Sequence, residues 1–255
     1  MKNYANIMVY KNRLKRILPF LGTILLLNLS FKWAEFRNIL NIKEVKILGS
    51  TLFNNDYLVG FSADSSNRIG SLNVRHLSNE LESNPFIKAA RVSKRYPNKI
   101  YINIVEREPI AIINNKTKIL IDEEAVVMPD NQYAETALIP ILSGFNTAND
   151  LYPEGKGTFS IKVKEAVNIL RLIKTNYIEL FDEISELTIN KNDDYEIILS
   201  EQPTRVILGK EDISRKIKIL SKFGKALGQR ELTDYRLLDM RYKKQLIAME
   251  WTWFV

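Results

Sequence analysis

The chain of 255 residues has no cysteine and a single histidine. The first absence excludes disulfide frameworks, thiolate metal sites, Cys–His dyads and cysteine nucleophiles. The second leaves His76 without a second His, or any Cys, to share a metal. A polar-face position on a helix is the expectation for it. Acidic residues are also missing from the start of the chain. Lys2, Lys11, Arg13, Lys15, Arg16 and Lys32 all precede Glu35, the first carboxylate. They account for most of the formal net charge of +7, and the remainder is close to neutral. A nucleic-acid-binding domain carries its basic excess on the folded body. Here the excess sits on a short N-terminal arm, which points to a membrane instead. With 45% hydrophobic and 26% charged residues the composition is otherwise that of a globular protein.

Behind the arm, "ILPFLGTILLLNLSF" (residues 17–31) carries no charge. At ~1.5 Å per residue these 15 residues cover only ~22 Å of a ~30 Å hydrocarbon core. Arg16 and Lys32 can snorkel outward, and Trp33 suits an interface. A cleaved signal peptide would need a small-residue cleavage site, and none of the A-x-A type precedes Glu35. A buried soluble helix is at odds with the basic flank at residues 11–16. The favoured reading is an uncleaved single-span anchor with its N-terminus in the cytoplasm and residues 35–255 outside.

Beyond the anchor, "IKEVKILGS" reads as a strand ending at Gly49. Asn54–Phe61 reads as one or two helical turns and "SADSSNRIGS" as a loop. Asn73 is placed to cap a helix that carries Val74, Leu77 and Leu81 on one face and stops before Asn84-Pro85. Two strands then flank the turn Tyr96-Pro97-Asn98-Lys99. Ile100, Ile102 and Ile104 alternate along the second, giving it one strongly apolar face. This β-α-α-β-β order spans residues 42–107.

The rest is richer in strands. Lys118–Ile121, Ala125–Met128, Glu186–Asn190, Tyr195–Leu199, Arg205–Leu208, Tyr235–Tyr242 and Gln245–Trp251 read as strands, interrupted by helices at about Ile161–Phe181 and Asp212–Leu227. Residues 144–157 read as a flexible loop. Asp122-Glu123-Glu124 and Lys191-Asn192-Asp193-Asp194 read as hairpin turns whose carboxylates are solvated. Gly155-Lys156-Gly157-Thr158 resembles part of a phosphate loop but lacks the upstream glycine and the preceding strand. No catalytic constellation emerges, and no cofactor or metal is implied.

Four stretches carry a family resemblance: "IKEVKILGS", "ELESNPFIKAARVSKRYPNKIYINIVEREPIAII", "LIPILSG" and "LLDMRYKKQLI". Together they resemble the bacterial cell-division family FtsQ, also called DivIB. The strongest part combines Pro85-Phe86-Ile87, a Pro turn at Pro97, the strand Ile100–Val105 and the exit Glu106-Arg107-Glu108-Pro109. The resemblance implies an α+β chain: a cytoplasmic arm (1–16), a transmembrane anchor (17–34), a POTRA-type domain (42–107) and a strand-rich β domain with two helices (109–255). It implies a non-catalytic scaffold in the inner membrane. Its partners would be membrane-anchored division proteins, FtsB/DivIC-like and FtsL-like, with septal wall synthases and FtsK as further contacts. Two other classes stay open, an envelope cell-wall enzyme and a POTRA-type chaperone of outer-membrane assembly.

In the family a partner adds along the last strand. Asp239-Met240-Arg241-Tyr242 matches the family's D-L-R-Y stretch, so Tyr242, Leu246, Ala248 and Trp251 are the contact candidates. Trp251, Trp253 and Phe254 place three large aromatics within four residues. Should that edge be closed, Ile100–Val105 is the next candidate.

Overall fold

A single helix, α1 (Lys2–Phe36), opens the chain in the computed structural model, which describes residues 2–49, 68–114, 118–129 and 138–251. Its segment Ile17–Phe36 has 20 residues with a mean hydropathy of 1.5 and no buried residue. At ~1.5 Å per residue that is ~30 Å, a full hydrocarbon thickness. The charge-free run of residues 17–31 is thus extended by a further turn of helix that carries Lys32 and Glu35. The chain is mixed α+β, and it divides into two compact units: residues 1–81 with 89–105, and residues 82–88 with 106–255.

In the first unit, β1 (Glu44–Leu48), β3 (Lys99–Glu106) and β2 (Ile87–Arg95) form a sheet in the order β1-β3-β2. β1 lies parallel to β3, with Val45 opposite Ile100 and Ile47 opposite Ile102. The alternation of β3 buries Ile100, Ile102 and Ile104 and leaves Asn103 and Val105 exposed. Helix α2 (Val74–Glu82) is capped by Asn73, whose side-chain oxygen accepts from the N–H groups of Arg75 and His76, each at 3.2 Å. Gly49 ends β1 at φ +82°, and a Cβ there would stand 2.3 Å from the carbonyl oxygen of Ile104, so only glycine fits. The expected helix at Asn54–Phe61 lies outside the described residues. Because β3 is the central strand, Ile100–Val105 offers no free edge, which removes it as a fallback docking strand.

The second unit is built on a nine-stranded sheet in the order β12-β11-β10-β9-β8-β7-β4-β5-β6. Its strands are β4 (Pro109–Asn114), β5 (Lys118–Asp122), β6 (Val127–Met128), β7 (Ile141–Ser143), β8 (Ile184–Ile189), β9 (Tyr195–Leu199), β10 (Arg205–Gly209), β11 (Tyr235–Asp239) and β12 (Ile247–Glu250). Three neighbouring pairs, β4–β7, β7–β8 and β10–β11, are parallel. Parallel neighbours need a crossover. Between β4 and β7 the chain passes through β5 and β6; α3 (Ile161–Asn176) with α4 (Ile178–Glu183) joins β7 to β8, and α5 (Ile213–Ala226) lies between β10 and β11. Val163, Val167, Leu170, Ile217 and Leu220 from these helices join Ile113, Leu142, Leu187, Ile197, Val206 and Leu238 in one core.

Two strands are absent from the sequence reading, β4 and β7. Pro109 reads as a break, yet proline is tolerated as the first residue of a strand, and it occupies that position in β4. Ile110, Ala111, Ile112 and Ile113 are all buried, so no alternation marks them. β7 has only three residues. The expected helix over Ile161–Phe181 breaks at Tyr177, with φ −157° and ψ 74°. The break sets the Tyr177 phenol against α5, where a Cβ on Gly224 would lie 2.2 Å from the hydroxyl oxygen.

The loop at 144–157 is bonded in place rather than free. The Tyr152 hydroxyl donates to the Asn146 carbonyl at 2.5 Å, and Thr158, fully buried, donates to the Leu151 carbonyl at 2.9 Å. Phe86 packs on Ile112, Leu120 and Met128 of the second unit, to which residues 82–88 belong.

Candidate docking edge

An open sheet has two edges, and an edge strand carries a row of N–H and C=O groups available to another chain. The edge at β6 is covered. Val127 N–H donates to the Lys156 carbonyl and Gly155 N–H donates to the Val127 carbonyl, both at 2.9 Å, while Thr158 N–H donates to the Ala125 carbonyl at 2.8 Å. The Gly155-Lys156-Gly157-Thr158 stretch is therefore an edge cover. The N–H groups of Gly155 and Thr158 are already bonded to strand backbone and cannot cradle a phosphate.

The edge at β12 is not covered among the described residues. β12 pairs antiparallel with β11, with Leu237 opposite Met249, Leu238 opposite Ala248 and Asp239 opposite Ile247. All four of its residues are exposed, with Ile247 at 37% and Met249 at 42%. A ladder register shift between Tyr235 and Leu237 marks a bulge near its end.

The β11–β12 hairpin is held at its open end and at its turn. At the C-terminal end the Trp251 indole N–H donates to the Thr233 carbonyl at 3.1 Å. The Arg230 guanidinium bonds the Glu250 carboxylate at 2.9 Å and lies 4.7 Å from the Tyr235 ring centre. At the other end, Arg241 pairs with Asp239: Nε lies 3.0 and 3.1 Å from the two carboxylate oxygens and Nη2 lies 2.6 Å from Oδ2. The Arg241 backbone N–H also donates to Asp239 Oδ1 at 3.0 Å. That local turn ends β11 at Asp239, which is why the strand does not run on to Tyr242. The same guanidinium lies 3.8 Å from the Asp194 carboxylate. The Arg241 side chain holds the Asp239 carboxyl below its usual range, against the opposing effect of burial. Beneath this pair, burial pushes the Lys216 ammonium down from its ordinary value, and its Nζ donates to the Leu208 carbonyl at 2.7 Å.

The four contact candidates fall in three settings. Ala248 lies on the edge strand, exposed. Leu246 and Trp251 flank it, both half-buried, and Leu246 packs on the core. Tyr242, 50% exposed, lies in the connecting turn. Trp253 and Phe254 lie outside the described residues. A cleft of about 150 Å³ opens beside the turn, lined among others by Arg215, Ile219, Tyr242, Lys244 and Leu246. Arg215 shapes it by donating to the Lys243 carbonyl at 2.7 Å.

Two carboxylates read as solvated turn formers are buried instead. Asp122 is 3% exposed, accepts from the N–H groups of Glu124 and Val126, and pairs with Arg107 at 2.5 Å. Asp194 is 7% exposed beside Arg241. Arginines far along the chain bury them, a relation that no local pattern contains. His76 is exposed, 3.8 Å from Glu80. Among the described residues no group of three or more His, Asp or Glu is placed to hold a metal.

An apolar N-terminal helix long enough to cross a membrane, a β-α-β-β sheet unit and a second sheet with one edge uncovered among the described residues define a two-unit α+β protein. The family models agree with that architecture. Residues 40–107 match the POTRA domain of FtsQ type, and residues 108–249 match the family described as FtsQ/DivIB, C-terminal related. The chain belongs to the FtsQ/DivIB family of cell-division proteins. It is 24% identical over 177 residues to the cell division protein FtsQ of Geotalea daltonii, covering 69% of this chain and 63% of that one. Over 181 residues it is 25% identical to that of Syntrophotalea carbinolica, covering 71% and 63%. A shorter stretch of 65 residues is 49% identical to that of Rickettsia prowazekii, covering 25% and 24%. The chain therefore spans somewhat less than two thirds of the longer-matching relatives.

Proposed function

We propose that the protein is a non-catalytic, single-pass scaffold of the division machinery that holds a membrane-anchored partner by strand addition to β12. The observation that carries this reading is the contrast between the two edges of the large sheet. One is sealed by residues 154–157, and the other is exposed along its length, held at its C-terminal end by Trp251 and preceded by a turn that Arg241 and Asp239 fix. A pinned edge has less backbone entropy to lose when a second strand pairs with it. In this reading the basic arm (1–16) stays in the cytoplasm, the anchor (17–34) crosses the bilayer, and the two outer domains, 42–107 and 109–255, stand beyond it, as the positive-inside rule favours. Confinement to the bilayer raises the effective concentration of other anchored proteins. The family resemblance suggests FtsB/DivIC-like and FtsL-like chains as partners. Tyr242, Leu246, Ala248 and Trp251 supply side-chain contacts around the added strand.

Proline scanning of β12 tests this. Successive residues of a strand point their N–H groups to opposite sides. Of Ala248→Pro and Met249→Pro, one removes a bond to β11 and the other removes a group facing the partner. The expected result is one variant that keeps the wild-type melting temperature and loses capture of an FtsB-like partner. Lys244→Ala should leave capture unchanged, while Tyr242→Ala weakens it by about 1–3 kcal/mol. Wild-type capture by every variant that remains folded would place the docking edge elsewhere.

A further inference from the structure

The small sheet of the first unit has one face toward α2 and the core and one face left open among the described residues. Strand alternation assigns the open face. It carries Glu44, Lys46 and Leu48 from β1, Lys99, Tyr101, Asn103 and Val105 from β3, and Arg91, Ser93 and Arg95 from β2. Tyr101 lies at its centre, with Lys46 5.8 Å and Arg95 5.7 Å from the ring centre. Four cations thus stand on the face against one carboxylate. Glu44 pairs with Lys99 at 2.6 Å and Lys46 at 3.4 Å, while Arg91 and Arg95 are exposed among the described residues. The other described carboxylates of this unit, Glu35 and Glu80, are on the helices α1 and α2. Leu48 and Val105, 52% and 54% exposed, add apolar side chains to the same face. Across residues 37–105 the sequence has ten Lys and Arg against five Asp and Glu, whereas residues 106–255 are net acidic.

We infer that this face docks on an anionic lipid surface, that of the membrane its own chain enters. The inference rests on the reading of α1 as a membrane anchor. Only residues 37–43 separate α1 from β1. Seven residues reach at most ~25 Å, so the sheet is confined close to the headgroups. Cations flanking an aromatic ring, with exposed aliphatic side chains beside them, match a layer that is negatively charged outside and apolar beneath. An acidic polypeptide would satisfy the charges but is not held there by the chain itself.

The absence of cysteine makes the test direct, because Asn103→Cys introduces the sole thiol at the exposed centre of the face. The full-length variant, carrying an environment-sensitive fluorophore, is placed in bilayer discs of phosphatidylcholine alone or with phosphatidylglycerol. Both contain headgroup spin-labelled lipid as quencher. Quenching in the anionic discs should exceed that in neutral discs by at least about twofold and fall to the neutral value in ~1 M salt, where the screening length is ~3 Å. The triple variant Lys46→Gln, Arg91→Gln, Arg95→Gln should lose the difference, and Arg75→Gln on α2 should keep it. Equal quenching in both discs overturns the inference while leaving the anchor intact. So does displacement of the label from anionic discs by polyglutamate at constant ionic strength, which would assign the face to an acidic polypeptide. A chain recovered without lipid overturns the anchor reading and this inference together.

Discussion

Gly224 lies inside α5, where helix propensity alone counts it as a defect of about 1 kcal/mol relative to alanine. The residue is fixed by a partner 47 positions earlier, because the Tyr177 hydroxyl fills the space a Cβ would need. Gly224→Ala should therefore lower stability by about 1–3 kcal/mol in urea titration, despite the better propensity. Adding Tyr177→Phe should recover part of the loss. Stability at or above wild type in Gly224→Ala would show that the phenol swings aside at no cost. The same long-range logic applies to Arg107. Its guanidinium bridges Asp122 and Glu124, so it ties the chain entering β4 to the turn after β5. An exposed-looking Glu-Arg-x-Pro stretch thus contains a largely buried cation that bonds two carboxylates further along the chain.

At the scale of elements, the turn between β11 and β12 depends on the Asp239–Arg241 pair. Arg241 depresses the Asp239 carboxyl below its ordinary 3.8. A carboxylate depressed on folding contributes stability that is whole above its unfolded value and is lost as pH falls through the lower folded value. Asp239→Asn should cost about 1–2 kcal/mol at pH 7, given the half-exposed guanidinium. That gap to wild type should close as thermal melts are taken from pH 5 down toward pH 2. A constant gap across this range would mean that the carboxyl contributes through shape rather than charge. Partner capture by Asp239→Asn should weaken even where the protein stays folded, since the turn sets where β12 begins.

For the whole molecule, residues 82–88 belong with the later unit although they interrupt the small sheet's sequence. Phe86 is their apolar contribution, set on Ile112, Leu120 and Met128 on a sheet surface away from the main core. Its carbonyl also accepts from Arg107 N–H at 2.8 Å. Phe86→Ala should destabilise the second unit by about 1–2 kcal/mol for a half-buried ring. Amide exchange should quicken in β4 and β5 while β1 and β3 keep their protection. Faster exchange confined to β1 and β3 would show that the ring serves the small sheet instead.

Much of this architecture is local and was therefore legible. The long N-terminal helix contains a run of uncharged residues behind a basic arm. Asn73 caps α2 through its own side chain, and Ile100, Ile102 and Ile104 declare one buried face by period two. Strands of five residues with turn residues at both ends, such as Tyr195–Leu199, also announce themselves. The sequence by itself determined these features because the forces that set them act within a few residues. Tertiary structure decided the rest. It made β4 a strand buried on both faces, put β3 in the centre of its sheet, and sealed one edge of the large sheet with residues 154–157. It also buried Asp122 and Asp194 against distant arginines. Each of these outcomes depends on which segments become neighbours, and a hydrogen-bonded edge or a paired charge does not exist until they do.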